Sequence, residues 1–186
     1  MKRTLQDLFF AVVGLLCVIN LSAAGTTSGG EIKFMVSQEG VLLQGTFNDF
    51  SGSVKFDPAH PDAGAVRVSV DVRSVNTGTP AANELIKSAD FFDVVTFPQA
   101  TFEATDFHAL DASHYIAKGT FNLKGHAATL PVTFTTTASA QGRWFDGSFN
   151  ISRTSFKVGQ GEWSDTSALD DSVRVQFHIL QEGMAH

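Results

Sequence analysis

The chain has 186 residues, with 13 Lys and Arg against 19 Asp and Glu, for a net charge of −6 with histidine neutral. That balance makes nucleic acid and anionic lipid surfaces poor partners. Its only cysteine, Cys17, rules out an internal disulfide and a thiolate zinc site, so packing alone has to hold the fold.

In chain order, Lys2 and Arg3 precede an apolar run from Leu8 to Leu21, and Ser22-Ala23-Ala24 then supplies the small residues that a signal peptidase accepts. Residues 1–24 are therefore expected to be a cleaved secretory signal, with Gly25 as the new amino terminus. The run is short for a spanning anchor, and Leu15-Leu16 ahead of Cys17 does not suit lipid attachment. What remains, residues 25–186, is the length of one domain, and it carries 11 basic and 18 acidic residues, a net of −7.

Beyond the leader, apolar residues alternate over short stretches separated by turn residues, the period of strands with one dry face. Ile32, Phe34 and Val36 form the first stretch, Val41, Leu43 and Gly45 the second, and Val54 and Phe56 the third. Val66, Val68, Val70 and Val72 then alternate with Arg67, Ser69, Asp71 and Arg73. A short helix follows, with Thr79 as cap, Pro80 in the first turn, and Ala82, Leu85, Ile86 and Ala89 on one stripe. It leads into Phe91 and Phe92, which read as a lid tip. Further alternation covers 100–105, 115–123, 130–134, 145–151 and 173–179, with Lys124-Gly125 as a hairpin turn.

About eight or nine antiparallel strands with short connections and one helix predict an all-β, eight-stranded up-and-down barrel. The lone helix between strands is not read as a parallel crossover unit, because the pattern occurs once. An outer-membrane barrel fits poorly, since one Tyr and two Trp can hardly build two aromatic girdles. The 17 Phe residues suit dry surroundings, either a packed core or a ring-lined cavity.

Signals for catalysis are thin. The histidines at 60, 108, 114, 126, 178 and 186 lack metal-ligand spacing and read as solvated loop residues. Gly159-Gln160-Gly161 lacks the third glycine and the strand-to-helix setting of a phosphate loop, so it reads as a turn. No G-x-S-x-G elbow is present, and no enzyme activity, metal or cofactor is expected. Two other readings are an enzyme acting on a small apolar substrate in the same cavity and a structural partner of a membrane redox protein.

The segments GTFNDFSGSVKFDP (45–58), LIKSADFFDVVTFPQATFEA (85–104), GTFNLKG (119–125), LPVTF (130–134) and NISRTSFKVGQGEW (150–163) resemble the YceI-like polyisoprenoid-binding proteins. The resemblance implies a lipocalin-like barrel with a helical insertion, located in the periplasm, that encloses a polyprenyl lipid or isoprenoid quinone. Transient contact with a membrane or a membrane redox protein would accompany that role. Expected ligand contacts are Val68, Val70, Phe102, Phe121, Phe134 and Phe149 on strands, and Ile86, Phe91 and Phe92 on the helical insertion. Arg153 and Trp163, with Asn83 beside them, are candidates to orient a head group at the mouth, although an arginine at a strand end is more often a surface charge. The chain departs from the family at three places. Only small residues stand at Thr26 to Gly30, which predicts a short first strand. Leu85 occupies a position that is often polar, and Ser152 directly precedes Arg153.

Overall fold

The computed structural model describes residues 25–182, so the expected signal segment and His186 lie outside the described residues. Ten strands and one α-helix follow one another as β1 (Gly25–Gln38), β2 (Val41–Phe47), β3 (Phe50–Lys55), β4 (Ala65–Asp71), β5 (Val75–Asn76), α1 (Pro80–Lys87), β6 (Gln99–Ala109), β7 (His114–Leu123), β8 (His126–Ser139), β9 (Gly142–Ser152) and β10 (Ser172–Glu182). They form one curled antiparallel sheet in the order β10-β9-β8-β7-β6-β4-β3-β1-β2-β5. In addition β10 pairs with β1, from Thr27↔Gln181 to Met35↔Arg174.

The count of ten corrects the expected eight-stranded barrel because two courses are interrupted, the first between stretches already separate in the sequence and the second at a break that the sequence does not mark. β2 and β3 run in succession along the same edge of β1, broken at Asn48 and Asp49. β4 and β5 are likewise one course, broken by a 3-10 turn at Val72–Ser74, so β4 pairs β3 while β5 pairs β2. At that turn the Asp71 carboxylate accepts a bond from the Arg73 amide at 2.9 Å and pairs with the Arg73 guanidinium at 2.6 Å. The alternation continues unbroken through Val72, which is 1% exposed, so a period of two gives no warning of the break.

The first strand is also long, 14 residues, where small residues predicted a short one. The small residues permit this length, because β1 here pairs with β3 on one edge and with β10 on the other, with a register slip against β10 between Thr27 and Gly29. Gly30 sits at φ 124°, and a Cβ there would collide with the His178 carbonyl.

Because neighbours are antiparallel, connections alternate between the two ends of the sheet. One end holds the β3–β4, β6–β7 and β8–β9 turns. It is stoppered by Phe56, Phe107, Tyr115, Phe134 and Phe145, with Phe56 5.0 Å from Tyr115 and 5.2 Å from Phe134 between ring centroids. The other end gathers the β1–β2 hairpin, the β7–β8 turn, residues 72–98 including α1, and the long β9–β10 connection. The β7–β8 turn is Lys124-Gly125, as expected, with φ of 50° and 75°, the left-handed pair that two-residue hairpins favour.

Candidate ligand cavity

A cavity of about 200 Å³ whose exposed surface is apolar lies inside the curled sheet. Its wall follows from the pleat: Val68 pairs with Phe102, and Phe102 with Phe121, so one inward layer crosses β4, β6 and β7 in register. Val70, Phe134, Phe149 and Ile86 also line it, as do Phe91 and Phe92. The neighbouring Phe34, Phe47, Phe145, Phe177 and Ile179 contribute as well. These five are not among the ligand contacts expected from the sequence, although each lies on an alternating stretch or next to one.

At the loop-rich end, Phe92 stands 5.8 Å from Phe47 and 6.5 Å from Phe34, edge-on to the latter. Phe91 and Phe92 are buried, at 7% and 8% exposure, because the backbone around them is tied down. The Asp90 carbonyl accepts bonds from the Gly159 and Gln160 amides, both at 2.8 Å. Lys124 Nζ donates to the carbonyls of Ala89 (2.7 Å) and Lys157 (2.8 Å). Burial lowers the pKa of that ammonium, against the opposing pull of Asp93 and Asp90.

Arg153 corrects the expectation of a surface charge or head-group contact. It is 2% exposed, and its nitrogens are committed to backbone carbonyls. Nε donates to Asp170 at 3.0 Å, Nη1 to Val158 and Gly159 at 3.0 Å each, and Nη2 to Leu169 at 2.6 Å. Burial pushes the guanidinium pKa down, while Asp171 raises it. Arg153 borders the cavity, yet the wall there is apolar. Its role is that of a strut binding both limbs of the β9–β10 connection. Gly159 at φ 74° completes the fit, since a Cβ there would lie 2.5 Å from Nη1.

The other two head-group candidates are not among the residues that line the cavity. Trp163 does not line the cavity, and its ring packs at 5.6 Å against Phe91. The Asn83 side chain accepts bonds from the Thr77 amide and hydroxyl, both at 2.7 Å, which fixes the entry to α1. The histidines at 60, 108, 114, 126 and 178 are exposed, as expected, but all except His60 stand on strands and not on loops. Four of them lie beside an aspartate, such as His114 at 2.9 Å from Asp111. Among the described residues no group of three or more His, Cys, Asp or Glu is placed to hold a metal, and no helix is long and apolar enough to cross a membrane.

The YceI-like domain matches residues 24–180. The chain belongs to the YceI-like family. Among its relatives is a UPF0312 protein of Yersinia enterocolitica, 34% identical over 136 residues, which cover 68% of this chain and 69% of that protein. The crystal structure of Burkholderia cenocepacia BcnA superposes with a TM-score of 0.78 at 35% identity, covering 81% of this chain and 94% of the other. A polyisoprenoid binding domain from Saccharophagus degradans gives 0.70 at 17% identity, covering 87% and 99%, a likeness of fold alone.

Proposed function

We propose that this YceI-like protein binds and carries an isoprenoid-type lipid, a polyprenyl chain or quinone, in the periplasm. The observation that carries the reading is the phenylalanine-lined cavity, whose exposed surface is apolar although Thr101 and Arg153 stand among its lining residues. Such a space gains nothing from water, and empty apolar cavities of about 150 Å³ stay dry and accept apolar guests. At about 0.8 kcal/mol per buried methylene, ten buried carbons gain about 8 kcal/mol, and branched unsaturated units stack well on rings. A lipid this long needs more than the present 200 Å³, so the Phe91–Phe92 segment has to yield as the chain enters.

Three further points support the reading. The apolar run before Gly25 suits export, β10 pairing along β1 gives the enclosure a continuous wall on that side, and the Saccharophagus neighbour is described as polyisoprenoid-binding. A quinone as ligand would make contact with a membrane redox protein the natural point of delivery.

Mass spectrometry of the organic extract of purified protein tests the proposal directly. Val70→Trp sharpens the test, because Val70 lines the cavity near the end of β4. An indole there is expected to displace lipid and leave thermal stability near that of lipid-stripped wild type, since bound ligand itself stabilises. The expected result is isoprenoid in the wild-type extract and several-fold less in the variant. An extract without isoprenoid, or a variant that keeps its full load, refutes the assignment.

A further inference from the structure

The wall of the curled sheet is incomplete at one place. β2 pairs with β5 only at Thr46 and Phe47, so among the described residues 41–45 have β1 as their sole strand partner. α1 lies beyond β5, and none of its residues is buried, although Ile86 lines the cavity. Among the described residues no strand therefore covers the β2 edge at 41–45 on the side of α1, which leaves room for a side portal under a lightly packed helix.

The apolar lining continues outward through this portal. Val36 lines the cavity and pairs with Leu43, and Val41 follows on the same face. Val41, Leu42 and Leu43 are 62%, 67% and 40% exposed, and Leu85 on α1 is 40% exposed. Consecutive strand residues point to opposite faces, so Leu42 is bare on one face of the tip while Val41 and Leu43 are bare on the other. A second chain pairing along the free edge would bond to the backbone and leave both faces wet. Insertion of the tip into a fluid apolar layer would cover both.

We infer that the β1–β2 tip and Leu85 form a bilayer-docking edge through which the cavity is loaded, an inference that rests on the lipid reading above. The charged side chains of the tip and of α1 are Glu39, Glu84 and Lys87, the last two 3.3 Å apart. They form no basic cluster, so the surface matches a neutral, zwitterionic lipid interface and gains nothing from anionic lipid.

Flotation with phosphatidylcholine vesicles tests this, using wild type, Leu42→Ser and Leu110→Ser. Leu42 points away from the cavity, so its loss leaves the lipid site intact. Leu110 is similarly exposed, at 57%, but sits on the β6–β7 turn at the opposite end. Wild type and Leu110→Ser are expected to float with the vesicles at low and high salt alike. Leu42→Ser should bind about tenfold more weakly or worse, the loss that corresponds to one buried leucine. Equal flotation of all three proteins, or none by wild type, overturns the inference. So does a wild-type dimer that Leu42→Ser converts to a monomer, which would give the edge to a second copy. Extractable isoprenoid is measured on the same preparations. Its absence condemns the cavity reading, whereas lipid-loaded protein that ignores vesicles condemns only the docking edge.

Discussion

Replacing Arg153 by Met removes every donor of the strut and keeps most of its buried stem. Four carbonyls lose their partner: those of Val158, Gly159, Leu169 and Asp170. Asp170 is exposed, so its carbonyl regains water at little cost. The other three belong to buried residues, and each buried acceptor left unpaired costs about 1–3 kcal/mol. Relief of the guanidinium's own desolvation and entry of a water reduce the total, which we place at about 3–5 kcal/mol, as for other broken buried charge sites. A domain of this size has about 5–15 kcal/mol in hand, so the variant should fold with a much lower urea midpoint. The loss should be local first, with faster amide exchange across 153–171 while the Phe56–Tyr115 end stays protected. A cost below about 1 kcal/mol would refute the strut and return Arg153 to the candidates for ligand contact.

Two further outcomes follow from the same end of the molecule. Asp171 loses some affinity for its charge through burial, but bonds from the Thr154 hydroxyl (2.7 Å) and amide (3.0 Å) outweigh this and hold its pKa below the ordinary 3.8. Its contribution is therefore complete above that ordinary value and is lost as pH falls through the depressed folded one. Urea titrations should show wild type and Asp171→Asn converging in that acid window, and parallel curves would refute the assignment. Phe92→Ala should cost about 3–5 kcal/mol as a buried aromatic truncation and should speed uptake of a fluorescent apolar probe, and unchanged uptake would mean that Phe92 does not obstruct the portal.

Much of the wall could be read from the chain, because a strand's inward face is written every second residue. Val68, Val70, Phe102, Phe121, Phe134 and Phe149 all line the cavity. Alternation reports only the face, however, and is silent on where a strand breaks. It runs on through Val72, where Asp71 and Arg73 close a turn instead. Asp71 also reads as a side chain pointing to free water, yet its carboxylate is engaged at that turn. Arg153 was misjudged for a different reason. Burial of a cation is decided by carbonyls far away in sequence, at Leu169 and Asp170, and no local pattern reveals them. Trp163 and Asn83 are absent from the cavity lining, and their partners, Phe91 and Thr77, come from loops whose course periodicity does not describe.

The two ends of the cavity are built from different materials, and this has a consequence for exchange. The Phe56 end is closed by interlocked rings on four strands and short connections, so opening it requires separating paired strands. The Phe91–Phe92 end is closed by a segment held through a few backbone and lysine bonds to another loop, beside a helix with no buried residue. Local opening draws on elements with few buried apolar contacts and exposed hydrogen bonds, and at the second end such elements are what covers the cavity. On the proposed lipid reading a ligand would pass beside α1, where the apolar tip of β2 stands.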